Sequence, residues 1–414
     1  MNEQWKTERS EPRAVGPPRH RLSRVARAQA QRTARRRRLF SVAALVTLVV
    51  VVIGAVFVGS KLWHGLFGGG SDFAGGGTAD LVIEVHSGDS TTAIGQMLQQ
   101  QNVVSSSKAF VEAAASNPAI TAIQPGFYKL RTEIPVSSAV QKLADPQSRV
   151  GQMVIPEGRQ LDDVADVKTN AVTQGIFSLI SDASCVDLDG ARGCVPAADL
   201  RQAAGTADPG ALAVPGWALS EVTAMGGDHR RLEGLIAPGS WNVNPSGTAE
   251  EILASLIGAS TAQYEANGLL AAAETTQMSP YEILIIASLV QRESKPQDFS
   301  KVARVIFNRL AEGRKLEFDS TVNYSLDRTE VATTDGDRAR VTPWNTYASL
   351  GLPKTPICSP GRPALAAAEN PEPGDWLYFV TIDLQGTTLF TRDYEQHLMS
   401  IELARRNGVL DSAR

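Results

Sequence analysis

SPYEILIIASLVQRES, residues 279–294, reads as a capped apolar helix carrying one glutamate, Glu293, near its end. Ser279 supplies the N-cap oxygen, Pro280 occupies a first-turn site where a missing N–H costs nothing, and Glu282 completes a capping box three residues after the serine. At about 100° per residue, Ile286, Leu289, Val290 and Glu293 fall within one apolar arc, while Gln291 and Arg292 turn away from its centre. A carboxyl on an apolar face is costly to ionise, so its pKa rises towards what a general acid needs near neutral pH. The same spacing also allows Glu293 to sit at the helix rim, paired with a lysine or arginine. Periodicity alone does not choose between the two.

The sequence around the helix carries ordered motifs. ASLVQRES (287–294) is followed by VARVIFNRL (302–310), FDSTVNY (318–324), WNTYASLGLPKTPICSPG (344–361), WLYFV (376–380) and FTRDYEQHL (390–398); IPEG (155–158) and LEGLIAPGSW (232–241) precede it. In content and order these segments resemble the endolytic murein transglycosylase family (MltG or YceG-like), bacterial cell-wall lyases. The resemblance places the family's catalytic acid on Glu293. It departs from the family pattern at Ser320, where proline is usual, at Trp344, where tyrosine is usual, and at Gly239 and Ser240, where Asp and Thr are usual. Glu233, in the second upstream motif, reads as structural before catalytic.

The N-terminal end has a different character. Residues 1–38 hold 12 Lys or Arg against 3 acidic residues, leaving 28 against 41 for the rest, an asymmetry hidden in the overall net charge of −4. Nucleic-acid binding is one reading of such a tail. Its position directly before the uncharged run LFSVAALVTLVVVVIGAVFVGS (39–60) favours topology instead. As a helix at ~1.5 Å per residue that run spans about 33 Å, enough for a bilayer core. The basic side is expected in the cytoplasm, so the chain reads as a single-pass cell-membrane protein with its catalytic domain outside. The run is longer than a cleavable signal core and lacks a convincing cleavage site, so it reads as a signal anchor. GGGSDFAGGG (68–77) follows as a flexible tether.

The expected class is α+β: a tail (1–38), a transmembrane helix (39–60), a tether (61–80), a small subdomain (81–150), a connecting region (151–247) and a mixed α/β catalytic domain (248–414). Strand, two helices and strand across residues 81–130 resemble the family's LysM-like subdomain, which implies contact with glycan. After IPEG the pattern suggests a helix through Val167, then an irregular portion over 181–216. Cys185 and Cys194 lie there, nine positions apart with no histidine beside them, and in an oxidising compartment read as a disulfide before a metal site. Cys358 reads as a buried small residue. Helices are expected over 248–258 and 262–273, over 299–312 with Asp298 as cap and Gly313 as stop, and over 394–407; a DLQG hairpin turn is expected at 383–386.

The resemblance implies cleavage of the bond from N-acetylmuramic acid to N-acetylglucosamine within nascent peptidoglycan strands, leaving 1,6-anhydro ends. One carboxyl then suffices as acid and base, with no cofactor and no metal. Asp319 is a candidate second carboxylate or a turn residue; Asn345, Thr346 and Tyr347 are candidates for sugar contact or for holding their loop. His397, on the last helix, reads as structural. The expected partners are glycan strands, the cytoplasmic membrane and peptidoglycan synthases, not nucleic acid. The alternatives are a glycan-binding scaffold without catalysis and a hydrolytic muramidase.

Overall fold

A computed structural model describes residues 72–409, apart from 167–168, 327 and 330–332. The basic tail, the apolar run and most of the tether lie outside the described residues, so the anchor and its orientation are not among the features below. Within the described residues no helix is long and apolar enough to cross a membrane.

The first unit of secondary structure follows its local signals. Strand β1 (Asp80–Val85) turns Ile83 and Val85 inward and Glu84 outward, as period-two alternation requires. Helices α1 (Thr91–Gln100) and α2 (Ser107–Ala115) start at serine caps: Ser90 Oγ accepts the Ala93 N–H at 3.1 Å and Ser106 Oγ accepts the Ala109 N–H at 3.3 Å. Strand β2 (Gly126–Arg131) returns antiparallel to β1 with Ile83 opposite Tyr128. Helix α3 (Val136–Ala144) and the short β3 (Arg149–Val150) complete the unit, β3 pairing with the other edge of β2. Ile83, Leu98, Phe110, Tyr128, Leu130 and Leu143 form a core of its own.

Residues 151–247 depart from expectation in two places. After β4 (Gln152–Ile155) the chain forms strand β5 (Val164–Asp166), not a helix, and pairs it with β6 (Val172–Thr173). Tertiary bonds override the helical pattern. Asp163 accepts the Gly175 N–H at 2.6 Å, and Asp162 takes Arg201 at 2.5 Å and His229 Nε2 at 2.6 Å. Nor is 181–216 irregular: α4 (Ile176–Ser184) leads into a hairpin of β7 (Val186–Leu188) and β8 (Ala191–Gly193), then α5 (Ala197–Thr206). Asp189 and Gly190 both have positive φ, the turn geometry that suits a two-residue hairpin, and Asp-Gly was the signal for it. Cys185 and Cys194 are bonded at 2.08 Å and close the hairpin base. The hairpin docks on β1, where the N–H groups and carboxylates of Asp80 and Asp189 bond reciprocally at 3.0 Å. Helix α6 (Leu219–Ala224) and strand β9 (Gly239–Asn242) follow, β9 lying antiparallel to β4.

Helix α7 (Ala249–Ala266) is continuous where two helices were expected. Ser260 does not break it, because its hydroxyl is buried and accepts the Ala237 N–H at 2.9 Å. The break comes at Gly268, whose φ of +106° suits only glycine, before α8 (Leu269–Thr276). Helix α9 (Pro280–Glu293) starts at the reciprocal cap read from sequence: Ser279 Oγ accepts the Glu282 N–H at 3.2 Å, and Glu282 accepts the Ser279 N–H at 2.8 Å. Its interior is buried on nearly every side, Tyr281 and Ile283–Val290 included, so α9 is a central helix and not one with a single apolar stripe.

Around α9 lie α10 (Phe299–Ala311), α11 (Asp319–Leu326), β10 (Arg328–Thr329), α12 (Asp335–Ala339), α13 (Arg362–Glu369), the hairpin of β11 (Tyr378–Thr381) and β12 (Thr388–Thr391), and α14 (Tyr394–Arg406). Asp298 precedes α10 without a side-chain cap bond, because the 3₁₀ turn Pro296–Asp298 runs straight into the helix. Strand β10 runs parallel to β5, while the other strand pairs are antiparallel, and the class is α+β. One core extends from Met153 to Ala368, so 151–247 and 248–414 share their buried residues.

Candidate active site

Glu293 is the last residue of α9, and Ser294 turns to extended backbone (φ −149°, ψ 179°). The chain therefore leaves the packed helix there, and the Glu293 side chain lines a cavity of about 470 Å³. Phe318 comes from the chain just before α11 and Asp319 is the first residue of that helix, α12 contributes Arg338, the following loop Tyr347, α10 Arg309, β11 Tyr378, and α14 Tyr394 and His397. Several titratable groups thus converge on one cleft with aromatic walls.

Burial first, and the nearby Asp319 charge with it, push the Glu293 pKa up to about 7 against the opposing pull of Ser320 and Arg292. The residue keeps partial exposure at the cleft wall, so the withdrawal from water comes from the protein packed behind the carboxyl. The Ser320 side chain and N–H lie close enough to favour the ionised form, although the hydroxyl meets no partner in strict hydrogen-bonding geometry.

Asp319 is held from two sides. Arg338 Nη2 lies 3.1 and 3.2 Å from its two oxygens, and the Thr333 hydroxyl donates at 2.6 Å. The Arg338 guanidinium also sits 4.8 Å from the centre of the Tyr347 ring. Burial, with the Asp319 charge beside it, raises the Tyr347 pKa, so its hydroxyl remains a donor.

Asn345 and Thr346 do not line the cleft. Asn345 is 1% exposed; its Nδ2 donates to the Asp337, Arg338 and Arg340 carbonyls, and its Oδ1 accepts the Tyr347 N–H at 2.9 Å. Thr346 is 2% exposed, and its hydroxyl accepts the Phe318 N–H at 3.0 Å while bonding Thr321 Oγ1 at 2.9 Å. With every polar group engaged by protein, these two fix the loop that presents Arg338, Asp319 and Tyr347. Of the three, only Tyr347 lines the cleft.

Sequence reasoning missed Arg309, Arg338, Tyr378 and Tyr394, and left His397 as a structural residue. Nothing local marks the arginines: their places depend in part on partners farther off in the chain, the Leu377 carbonyl at 2.7 Å for Arg309 and the Asp319 carboxylate at 3.1 Å for Arg338. Among the described residues no group of three or more His, Cys, Asp or Glu is placed to hold a metal ion. Cys358 is buried and packs against Ser288, with Sγ 3.5 Å from its carbonyl oxygen.

Glu233 lies away from the cleft lining and is 1% exposed. It accepts the Tyr324 hydroxyl at 2.8 Å and the Leu161 N–H at 3.2 Å, which ties the connecting region to α11. Burial pushes its pKa up to about 8. A raised pKa means the folded state holds a proton that the unfolded chain releases, so its contribution is complete below the ordinary value of 4.5 and is lost as pH rises through about 8. Glu233→Gln keeps a neutral side chain at every pH. We expect melting temperatures measured across that window to fall less steeply with pH in the variant than in the natural protein.

The model of the YceG-like family matches residues 83–402, a span that includes both cores and every residue of the cleft. The chain belongs to the YceG-like family. Among similar curated proteins, the endolytic murein transglycosylase of Bacillus subtilis (strain 168) is 25% identical over 321 residues, covering 76% of this chain and 82% of that protein. The protein of that name from Streptococcus pneumoniae serotype 2 is 23% identical over 341 residues, covering 77% of this chain. This chain spans only 57% of that relative's length. A crystal structure described as a putative YceG-like protein from Listeria monocytogenes is 22% identical, covering 77% of this chain and 98% of that one, with a TM-score of 0.45. At that score the likeness is too loose to bear on the site. Membership of the YceG-like family rests on the matched span.

Proposed function

We propose that this protein cleaves peptidoglycan glycan strands internally as a lytic transglycosylase, with Glu293 as its acid and its base. The observation that carries the reading is a glutamate with a pKa of about 7, at the wall of an aromatic-lined cleft, in a YceG-like chain whose curated relatives are named endolytic murein transglycosylases. Protonated Glu293 gives its proton to the glycosidic oxygen as the bond to the muramyl anomeric carbon breaks. The substrate's acetamido group shares the positive charge left on that carbon. The muramyl 6-hydroxyl then attacks it and returns its proton to Glu293, so the cut leaves a 1,6-anhydro end and consumes no water.

Asp319 supports this course over hydrolysis. A hydrolase of the two-carboxylate kind needs its second carboxylate as nucleophile or water-activating base. Here the Asp319 oxygens are engaged by Arg338 and Thr333. Its charge instead holds the proton on Glu293 before the cut and favours positive charge on the sugar.

The form of Glu293 that starts the reaction is the protonated one, so kcat/KM is expected to fall as pH rises through about 7. Initial rates on uncross-linked strands, measured from mildly acidic to mildly alkaline pH, check this.

The apolar run 39–60 serves as a signal anchor, with the basic tail in the cytoplasm and the catalytic part outside. The unit around β1–β2 is the LysM-like glycan contact, and peptidoglycan synthases making the nascent strand are the neighbours such a position implies. The test of the function is the length distribution of uncross-linked glycan strands after incubation with the full-length chain. Fragments of intermediate length, absent with Glu293→Gln, support internal cutting. Strands retained on the protein but never shortened support a binding scaffold instead.

A further inference from the structure

Tyr378 carries the Arg309 guanidinium 5.0 Å from its centre, accepts Arg314 Nη1 at its hydroxyl at 3.1 Å, and stacks on the His397 imidazole at 4.9 Å and 21°. The stack fixes the plane of the imidazole at the wall of the cavity that Glu293 also lines. Tyr394, 54% exposed, lies tilted against both rings at 5.4 and 6.4 Å. In this setting His397 Nδ1 is buried and has no hydrogen-bond partner among the described residues. An imidazole held in place by its face, with a polar edge left unanswered beside a cavity, is arranged for a ligand and not for the fold.

We propose that His397 is a substrate-binding residue, a neutral imidazole that hydrogen-bonds through a ring nitrogen to a hydroxyl or acetamido group of the sugar held in the Glu293 cleft. A half-turn of the ring about Cβ–Cγ keeps the stack on Tyr378 and exchanges its two edges, so either nitrogen can be presented. Burial and the Arg309 charge lower the His397 pKa and keep it uncharged near neutral pH. That suits a site where positive charge develops on the sugar, because a second cation would oppose it. Across the same cavity the other charged groups are Glu293, Asp319, Glu317, Arg309 and Arg338, Glu317 paired with Arg309 at 3.0 Å and Arg338 with Asp319 at 3.1 Å, beside the hydroxyls of Tyr347, Tyr378 and Tyr394.

This inference rests on the murein reading, and the test separates the two. Binding of uncross-linked glycan strands is measured by calorimetry in the full-length Glu293→Gln protein, alone and with His397→Phe, His397→Asn or His397→Gln added. Phenylalanine keeps the stack and removes both nitrogens; asparagine and glutamine restore an amide near one or the other. We expect the phenylalanine variant to bind at least tenfold more weakly at unchanged melting temperature, with one of the amides recovering part of the loss. Equal binding with phenylalanine would overturn the proposal and leave the murein reading standing. Equal losses in all three variants would make His397 a matter of shape and overturn it too. Absence of binding with His397 in place would overturn both readings.

Discussion

Glu293→Gln should yield a folded protein whose cleavage of glycan strands is reduced by about a thousandfold or more. General acid or base assistance is commonly worth about 10²–10⁴ in rate, and here one carboxyl gives the proton and takes it back. Glutamine fills the same space at the end of α9 but can neither give up a proton to the leaving oxygen nor accept one from the attacking hydroxyl. The helix itself is set by the Ser279–Glu282 cap and by burial of Tyr281–Val290, none of which involves the Glu293 carboxyl. The melting temperature should therefore be at least that of the natural protein, since a group costly to ionise has been replaced by a neutral one. Single-turnover rates and calorimetry on the same preparations separate the two effects. Activity within tenfold of the natural protein would place the acid elsewhere.

Arg309→Ala should give the largest loss of stability among the cleft residues. The guanidinium donates to the Leu377 carbonyl at 2.7 Å, to those of Lys315 and Leu316 at 2.9 and 3.1 Å, and to Glu317 at 3.0 Å. It thereby ties α10, the chain before α11 and the chain entering β11 together. Alanine leaves buried carbonyl oxygens without donors, at about 1–3 kcal/mol each where water cannot replace the arginine. The Glu317 pair adds little, because that carboxylate is half exposed and solvent screens it. A total of about 3–5 kcal/mol corresponds to a melting temperature lower by roughly 5–10 °C. Lysine should restore only part of this, since one ammonium cannot reproduce the fork of donors. A loss below about 1 kcal/mol would mean that water enters and satisfies the three carbonyls.

What could be read from the sequence divides along the range of the interactions involved. The cap of α9 and the serine caps of α1 and α2 are decided within a few residues, and the side chains that decide them are in the text of the chain. Glu293 was legible for the same reason, as a carboxyl in register with aliphatic side chains one and two turns earlier. Strand β5 was not, because its conformation is fixed by Asp162 reaching Arg201 and His229 and by pairing with β10, more than 150 residues away. The continuous α7 was hidden likewise: Ser260 lies in the expected gap between 258 and 262, and its hydroxyl is satisfied by the distant Ala237.

The candidate site shows the same division. Asn345, Thr346 and Tyr347 are adjacent in sequence and carry similar sugar-binding chemistry, yet only the tyrosine lines the cleft, because the Asp337, Arg338 and Arg340 carbonyls consume Asn345, and the Phe318 N–H and Thr321 hydroxyl consume Thr346. Arg309, Arg338 and His397 acquire their places only when α10, α12 and α14 are brought against β11 and α11. Motif order pointed to the region, and packing selected the side chains.

The most direct check is to carry out the cleavage in heavy-oxygen water and weigh the new chain ends. Attack by the muramyl 6-hydroxyl takes no oxygen from solvent, so we expect ends lighter than hydrolytic ones by one water and free of label. One labelled oxygen at each new reducing end, and none at the non-reducing ends, would mean that water is the attacking group and that Glu293 works with a second base.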